Sequence, residues 1–315
     1  MNQIIRRMLG KRVLVIGDIM LDKYIWGNVT RISPEAPVQI VDVQDENYTV
    51  GGAGNTAANI ASLGGEPVII GVAGNDDSWR QLQEEMKKKK ISTNGIIVDG
   101  SRKTTRKVRV MGGKQQLIRI DHENREKISE GIEEEVIRKI GEIVDDVEVI
   151  LISDYNKGLI TQKVIDFVAE ISRRRNIKLI VDPKPSNRVV YNDTFIITPN
   201  HKEACEIVGY DSEDNAKLGK LLHSKMGCNV LITLGEKGMM LFEGNEVTNI
   251  ATRAKEVYDV SGAGDTVVAT LGLAIAAGSS LKEAAMLANH AAGVVVGKVG
   301  TSCITAEELE ASLNE

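Results

Sequence analysis

The hydrophobic positions in the second half of the chain alternate between a helical period and short buried runs. Amphipathic segments are followed by runs of Val, Ile and Leu, as in proteins that pack helices on a parallel sheet. The pattern predicts helix 132–143, strand 149–153, helix 161–174, strand 178–181, strand 195–198, helix 202–208, helix 214–226 and strand 230–233. It therefore predicts an α/β fold whose central sheet is mostly parallel and joined by right-handed crossovers.

Polar residues follow the predicted buried strands. The apolar run at 12–17 ends at Asp18, and Asp22 follows shortly after it. Further polar strand ends are Ser153-Asp154-Tyr155, Asp182-Pro183-Lys184, Thr198-Pro199-Asn200 and Thr233-Leu234-Gly235. Because ligands of open α/β sheets collect at the carboxyl ends of the strands, we expect these residues to line one edge of the sheet. For Asp18 or Asp22 alone, capping of the turn after the strand is an equally good explanation.

Three segments outside this pattern alternate apolar and polar residues with the period of half-exposed strands. They are 38–43, 104–110 and 115–121, with a hairpin turn at 111–114. We expect an antiparallel flap, formed by segments near 38–50 and 104–121, that closes over a substrate and excludes water. The basic residues of this flap are Arg106, Lys107, Arg109 and Arg119. They suit an anionic substrate group, although a solvated strand face explains each of them as well.

A glycine-rich stretch at 259–266 precedes an apolar run at 267–277 that predicts a buried helix. Gly262 and Gly264 allow the backbone to approach a ligand, and the first N–H groups of a helix lack internal partners. The stretch therefore predicts a phosphate site at a helix N-terminus. Asp265 would repel a phosphate that merely rests there, so we interpret it as a general base beside a transferred phosphoryl group. The alternative is an aspartate that caps the helix.

A second glycine-rich stretch, at 51–59, offers a competing interpretation. Residues 52–57 satisfy the dinucleotide-binding fingerprint, and the acidic pair 76–77 lies about 20 residues further on. Against this, residues 44–50 separate the fingerprint from its strand and suit an exposed turn. Asn55 and Asn59, one helical turn apart, also suit a hydroxyl-rich ligand.

The composition narrows the class of protein. The chain has 315 residues, and its net charge of −5 gives no electrostatic case for binding nucleic acid. Its sequence contains no uncharged apolar run of about 18 residues, the length that a membrane span requires. Three widely spaced cysteines, Cys205, Cys228 and Cys303, favour a reduced cytoplasm over a disulfide framework. We therefore expect one large cytoplasmic domain that binds neither nucleic acid nor membrane.

Several motifs together resemble the ribokinase-like family of carbohydrate kinases. They are Gly262-Ala263-Gly264-Asp265, Gly51-Gly52-Ala53-Gly54-Asn55 and Asn200-His201-Lys202-Glu203. Longer strings resemble, more narrowly, the kinase part of bacterial heptose-phosphate kinases that carry an adenylyltransferase. These strings are 17–24, 31–38, 116–119, 153–158 and 293–301. The resemblance covers almost the whole chain and implies a three-layer sandwich over residues 1–315 with the flap as a lid. Because the adenylyltransferase string His-x-Gly-His does not occur, we expect a stand-alone kinase.

The resemblance also implies a reaction, the ATP-dependent phosphorylation of the C1 hydroxyl of D-glycero-D-manno-heptose 7-phosphate. The product, the 1,7-bisphosphate, serves lipopolysaccharide or surface-layer sugars. Asp265 would be the base, and the N–H groups of Gly262, Ala263 and Gly264 would stabilise the transferring group. The implied substrate-binding residues are Asp18, Asp22, Gly51, Gly52 and Asn55, with Arg106, Lys107, Arg109 and Arg119 as candidates for the 7-phosphate. The implied ligands of ATP and Mg²⁺ are Asn200, Glu203, Thr233, Gly235 and Asn289, with Glu203 near Mg²⁺.

Three further expectations remain open. A monovalent cation such as K⁺ would lie beneath the loop against Asp259 and Ser261, by the same resemblance. An exposed flap strand would allow pairing with a second copy of the chain, so the sequence is compatible with a homodimer formed through the flap. Another sugar or nucleoside kinase, or a catalytically silent sugar-phosphate sensor, would fit the same fold, although the retained Asp265 disfavours the sensor.

Overall fold

We analysed a computed structural model of the protein. Among the residues that it describes, a mixed sheet of nine strands forms the centre of the fold. The described residues are 1–113, 115–254, 256–298 and 300–314. Lys114, in the predicted hairpin turn, and Val299, in the matched string 293–301, are outside them. The strands are β1 Arg12–Gly17, β2 Ile19–Ile32, β3 Gln39–Gly52, β4 Glu66–Ala73, β5 Ile96–Val98, β6 Arg106–Gly112, β7 Gln115–His122, β8 Val149–Ser153, β9 Lys178–Asp182, β10 Ile196–Ile197, β11 Asn229–Thr233, β12 Met239–Glu243 and β13 Glu246–Ile250. The helices are α1 Asn2–Met8, α2 Ala53–Ser62, α3 Asp77–Lys88, α4 Glu130–Ile143, α5 Gln162–Arg175, α6 His201–Val208, α7 Asn215–Met226, α8 Ala263–Ala276, α9 Leu281–Val295 and α10 Ala306–Leu313.

The strand order of the central sheet is β13-β12-β11-β10-β9-β8-β1-β4-β5. From β11 to β5 the neighbouring strands are parallel, and the β12–β13 hairpin closes one edge in antiparallel fashion. The sequence prediction of a mostly parallel sheet is therefore confirmed. Because these strands are parallel, the polar residues that follow β1, β8, β9, β10 and β11 meet at one edge.

Alternate side chains of the central strands enter two hydrophobic cores. Val13 and Val15 of β1 belong to the core that contains residues of α2, α8 and α9. Leu14 and Ile16 belong to the other core, with residues of α4, α5 and α7. The sheet thus lies between two layers of helices, which confirms the predicted three-layer arrangement.

Helix α8 has apolar residues on every side because it packs between the sheet and other helices. The residues from 265 to 275 are all buried, and α8 contacts α2, α9 and β8. This packing fixes the helix N-terminus at the carboxyl edge of the sheet. Among the described residues, no helix combines the length and apolar character needed to cross a bilayer.

A second sheet, in the order β3-β2-β6-β7, contains the predicted flap segments, and we call it the flap sheet. The β2–β3 and β6–β7 pairs are antiparallel, whereas β2 and β6 are parallel. Strand β2 was not predicted, because residues 19–22 are buried on both faces and show no alternation. The expectation of an exposed turn at 44–50 is wrong. These residues belong to β3, whose outer half is exposed to solvent and therefore carries acidic side chains.

Candidate active site

Asp265 lies in the first turn of α8 and is buried, with 3% of its surface exposed. Its carboxylate accepts hydrogen bonds from Asn55 Nδ2 at 2.9 Å, Thr56 Oγ1 at 3.1 Å and the Tyr155 hydroxyl at 2.7 Å. Burial raises the pKa of Asp265 to about 6, against the effect of these hydrogen bonds, which lower it. The carboxylate is thus mostly ionised at neutral pH and has more affinity for a proton than a surface aspartate. This combination suits a general base.

The two glycines before Asp265 serve different purposes. Gly262 has a φ of 80°, and a Cβ there would lie 2.7 Å from Asn55 Nδ2, so the fold itself requires glycine. A Cβ at Gly264 would meet no atom within 4 Å, so packing does not require glycine at this position. The N–H of Ala263 donates to the Val260 carbonyl at 3.2 Å. Among the three loop amides assigned to the anion, that of Ala263 is therefore engaged within the loop in this conformation.

Asp18 holds the loop that carries Tyr155. Its Oδ2 accepts the N–H groups of Tyr155 and Lys157, both at 3.0 Å, and its Oδ1 accepts that of Leu159 at 3.3 Å. Burial raises the pKa of Asp18, and the three backbone hydrogen bonds lower it. Neither Tyr155 nor Thr56 is among the site residues predicted from the sequence. The sequence signals for Tyr155 were its place at the end of a buried strand and within the matched string 153–158.

Asp22 lies in β2 and pairs with a flap arginine. Its Oδ1 is 2.6 Å from Arg109 Nη1, and both side chains are buried. The guanidinium of Arg109 also lies over the ring of Tyr24, 5.2 Å from its centroid. The Asp22 charge contributes to the raised pKa of Asp265, which places the two carboxylates in one electrostatic environment. Gly51, in β3, lies close to Asp22. A Cβ at Gly51 would come to 2.5 Å from Asp22 Oδ2.

Two cavities meet at Gly264, and the second of them is also lined by Tyr155. The first has a volume of about 440 Å³ and a largely apolar wall. Its lining includes Thr233, Gly235, Val260, Gly264, Asn289 and Ala292. Asn289 donates from Nδ2 to the carbonyl of Ala251 at 2.7 Å, so its side chain fixes the segment after β13.

The second cavity has a volume of about 430 Å³ and is more polar. Asn200 and Glu203 form a capping box at the start of α6, and Glu203 Oε1 lies 2.8 Å from Lys184 Nζ. Burial, and then the nearby Glu203 carboxylate, raise the pKa of Asp182 well above its ordinary value. The structure thus brings Asn200, Glu203, Thr233 and Gly235 to one wall, next to the N-terminus of α8.

Asp259 stabilises the loop beneath the helix. Its Oδ1 accepts the N–H of Ser261 at 2.8 Å, and its Oδ2 accepts the N–H of Gly300 at 3.1 Å. Within the described ranges, no cluster of three or more His, Cys, Asp or Glu side chains has the geometry of a metal site.

Arg106 and Arg119, two candidates for the substrate phosphate, lie in different surroundings. Arg119 forms two hydrogen bonds with Asp121, at 2.9 and 3.0 Å, in an exposed position. Arg106 precedes Lys107 in β6, so the two side chains leave opposite faces of the flap sheet. Arg106 Nε is buried and has no hydrogen-bond partner in the described part of the chain.

The dinucleotide interpretation does not fit the structure, although one argument against it was incorrect. Strand β3 ends at Gly52 and α2 begins at Ala53, so the fingerprint does follow a strand directly. That strand belongs to the flap sheet and not to the parallel sheet. Asp76, the candidate for a ribose hydroxyl, instead accepts the N–H groups of Trp79 and Thr104, both at 2.9 Å, and caps α3.

Comparisons with known proteins agree with this architecture. Solved structures with a similar fold include phosphofructokinase-2 from Escherichia coli in complex with substrates and products. Its TM-score is 0.80 at 17% identity, over 97% of this chain and 99% of that one. Ribokinase from Arabidopsis thaliana, complexed with ribose and ATP, has a TM-score of 0.75 at 20% identity, over 98% and 100% of the two chains. At these identities the likeness establishes the fold alone.

Sequence relatives are more similar. The chain is 44% identical over 309 residues to the bifunctional protein HldE of Desulfatibacillum aliphaticivorans, covering 96% of this chain and 63% of that protein. It is 45% identical over 305 residues to the HldE of Geobacter sulfurreducens, covering 95% and 62%. The chain therefore spans about three-fifths of the length of these relatives. The model of the pfkB family of carbohydrate kinases matches residues 11–307. The chain belongs to the pfkB family of carbohydrate kinases.

Proposed function

We propose that the chain is an ATP-dependent sugar-phosphate kinase that phosphorylates the C1 hydroxyl of D-glycero-D-manno-heptose 7-phosphate to the 1,7-bisphosphate. The observation that carries this proposal is the buried Asp265 carboxylate, which accepts hydrogen bonds from Asn55, Thr56 and Tyr155 and follows Gly264, where the two cavities meet. Membership of a carbohydrate kinase family supports the reaction class. The similarity to HldE proteins, together with the matched strings, supports a heptose phosphate as the acceptor.

In this proposal Asp265 accepts the proton of the sugar hydroxyl as its oxygen attacks the γ-phosphorus of ATP. The new oxygen–phosphorus bond forms while the bond to the β-phosphate oxygen breaks, and ADP leaves with that electron pair. A positioned base of this kind contributes about 10² to 10⁴ in rate. A pKa of about 6 leaves Asp265 ready to take the proton at neutral pH.

The N-terminus of α8 stabilises the charge that develops on the transferring group. The described backbone contacts leave the N–H groups of Gly262 and Gly264 without an internal acceptor, whereas that of Ala263 is bonded to Val260. A preorganised donor of this type is worth about 3 kcal/mol in the transition state. The missing side chain at Gly264 lets the phosphates approach the backbone closely.

The sugar would lie between Asp265 and the flap sheet. We assign Asp18, Asp22, Gly51, Gly52 and Asn55 to this side. Asp22 and Asn55 provide polar atoms beside Asp265, while Gly51 and Gly52 let the backbone pass close to the sugar. Asp18 acts at least in part by holding the loop of Tyr155.

The nucleotide would occupy the two cavities on the other side. Thr233, Gly235 and Asn289 line the apolar cavity, and Asn200 and Glu203 lie in the polar one. Carboxylate oxygens of Asp182 and Glu203 share the polar cavity, and oxygen is the donor that Mg²⁺ prefers, so these residues fit the cation. When bound, Mg²⁺ supplies neutralisation of charge on the phosphates.

We also assign Asp259 and Ser261 to a monovalent cation beneath the loop. The Asp259 carboxylate is held by the N–H groups of Ser261 and Gly300, so its oxygens have fixed positions there. The remaining ligands would be backbone carbonyls. Turnover in K⁺ compared with tetramethylammonium tests this assignment, and equal rates in the two salts would remove it.

The flap sheet is also the surface we propose for a homodimer, besides its role as a lid. Val43 of β3 and Ile118 and Ile120 of β7 are 52%, 54% and 44% exposed, and β3 and β7 are the edge strands of this sheet. We expect light scattering to give the mass of two chains, and Ile118→Lys to give the mass of one. A monomeric wild type would refute the proposed dimer.

The substrate assignment is tested by ATP turnover with heptose 7-phosphate beside fructose 6-phosphate, ribose and adenosine. We expect turnover to be most efficient with the heptose phosphate. If only one of the other acceptors is phosphorylated, the substrate is wrong and the kinase proposal stands. If nothing is phosphorylated while a sugar phosphate still binds tightly, the protein is a sensor and the kinase proposal fails.

A further inference from the structure

We define the inner face of the flap sheet by Asp22, Lys107, Arg109, Arg119 and Asp121, and Asp22 is a residue that we assign to the sugar. The strand registers pair Lys107 with Asp22 and Asp121, and Arg109 with Arg119. Directly paired residues of neighbouring strands project from the same face. These five side chains therefore belong to one surface.

Among the described residues, the cationic side chains on the inner face and in the loop after β8 that contacts it form ion pairs with carboxylates, except Lys107. Arg109 pairs with Asp22, as described above, and Arg119 pairs with Asp121. Lys157, from the loop after β8, lies 2.6 Å from Glu123. Within the described ranges, no ion pair links Lys107 to a carboxylate. The inner face thus has one cation whose charge is not matched by a direct partner.

The amine of Lys107 lies beside Tyr155, which donates a hydrogen bond to the proposed base. Its Nζ lies over the ring of Tyr155, 5.6 Å from the centroid, and the hydroxyl of that tyrosine donates to Asp265 at 2.7 Å. Tyr155 therefore lies between Lys107 and the base. A substrate whose hydroxyl meets Asp265 would extend its other end along Tyr155 toward the amine.

The charges around Lys107 are mostly positive. Burial lowers the pKa of Lys107, Asp22 opposes this effect, and the neighbouring cations Lys157, Arg109 and Arg119 add to it. A bound phosphate would supply the missing negative charge and favour the protonated amine. The other flap cations are less suitable, because Arg106 leaves the opposite face and the two inner arginines already have partners.

We propose that Lys107 binds the phosphate group of the sugar-phosphate substrate, at the end of the sugar remote from the hydroxyl that meets Asp265. This inference rests on the proposed function and names the determinant of its specificity. The ligand class is a phosphate monoester of a sugar. Uncharged sugars and nucleosides would lose this interaction.

The test compares Lys107→Met, Lys107→Arg and the control Arg119→Met, with heptose 7-phosphate and with the same heptose lacking the phosphate. We expect Lys107→Met to raise KM for the phosphorylated sugar about 10- to 100-fold, the usual range for a hydrogen bond to a charged group. We expect its kcat/KM for the unphosphorylated heptose to stay near that of wild type. Lys107→Arg should recover most of the affinity, and Arg119→Met should change KM less than about threefold, because its charge is exposed and already paired.

Two results would overturn the inference. Equal losses on both substrates in Lys107→Met would indicate a structural role through Tyr155, and a thermal unfolding midpoint below that of wild type would agree with it. A loss in Arg119→Met as large as that in Lys107→Met would move the phosphate to Arg119. Titration calorimetry with heptose 7-phosphate in the absence of ATP gives the same comparison without turnover.

The design also separates this inference from the proposed substrate. If wild type uses fructose 6-phosphate and not the heptose phosphate, the substrate is wrong. The same comparison of kinetic constants, now made between fructose 6-phosphate and fructose, then supports or overturns the role of Lys107. If wild type prefers unphosphorylated sugars, both the proposed substrate and the role of Lys107 are wrong.

Discussion

The flap side of Asp265 and the apolar cavity at Gly264 differ in how many of their polar groups are already bonded without a ligand. On the side of the flap sheet, polar groups already bond to one another. Asn55 and Tyr155 donate to Asp265, and Asp22 pairs with Arg109 in a buried position. Such a site is preorganised, because its donors and acceptors are oriented by their own hydrogen bonds.

The apolar cavity, which we assign to the nucleotide, is lined mainly by small and apolar residues. Gly235, Gly264, Val260, Val267 and Ala292 line it, and none of these has a polar side chain. A wall of this kind selects by shape and by backbone N–H groups.

The difference teaches where discrimination between substrates arises. A site built to pair with hydroxyls and charges rejects a ligand that leaves its buried groups unpaired, by large factors. An apolar wall rejects an incorrect shape by smaller factors. We therefore place the choice of acceptor on the flap side, and the close approach of phosphate on the side of Gly264.

The largest expected effect comes from the residue that both sides share. Asp265→Asn should lower kcat by about 10³-fold, because the amide cannot accept the proton of the attacking hydroxyl. ATP affinity, measured by titration calorimetry, should stay within a few-fold of wild type, because the nucleotide side is built without this carboxylate. A variant with kcat within tenfold of wild type would remove Asp265 as the base.

The next effect tests the nucleotide side alone. Gly264→Ala should fold, because the new Cβ meets no atom within 4 Å, and helix propensity should add about 0.5–1 kcal/mol of stability. Activity should fall about 100-fold, because the methyl group occupies the space that the phosphates need.

The matched control for this variant is Gly262→Ala. At Gly262 the positive φ and the contact with Asn55 should destabilise the fold instead. A Gly264→Ala enzyme with wild-type kcat/KM for ATP would contradict the close approach. Thermal unfolding and steady-state kinetics measure the two properties separately.

The fold was predictable where burial follows a simple period. The predicted strand 149–153 coincides with β8, and the predicted helix 161–174 differs from α5 by one residue at each end. Strand β2 was not predictable, because its burial changes from both faces to one face and then to full exposure along its length. No single period describes such a strand.

Some residues of the candidate site were predictable from short sequence motifs, and others were not. Asp265 and Asn55 lie in short glycine-rich motifs, and the structure places them 2.9 Å apart. The distinction between Lys107 and Arg106 depends on which face of β6 meets the sugar side, and alternation alone does not decide the face. The contact between Tyr155 and Asp265 requires three separate segments to come together. Asp18, which follows β1, holds the loop after β8 that carries Tyr155, and α8 carries the Asp265 carboxylate.

The smallest effect tests the preorganised side through Tyr155. Asp265 is active when ionised, so kcat/KM should fall as the pH drops through its pKa of about 6. The Tyr155 hydroxyl favours the ionised form, so Tyr155→Phe should raise the pKa of Asp265 and shift the acid limb of the profile to higher pH. A hydrogen bond to a charged group of about 1.5 kcal/mol corresponds to about one pH unit.

A natural control for this prediction exists in the same protein. Tyr191 donates to Asp154 at 2.7 Å, and burial raises the pKa of Asp154 to about 6 as well. Tyr191→Phe removes a bond of the same length from a carboxylate that has no hydrogen bond to Asp265, and it also removes the acceptor of the Lys184 N–H at 3.2 Å. Its acid limb should match that of wild type. If both phenylalanine variants shift the profile equally, Tyr155 acts through the loop and not through its bond to the base. A profile in Tyr155→Phe identical to wild type would mean that the flap side does not set the ionisation of Asp265.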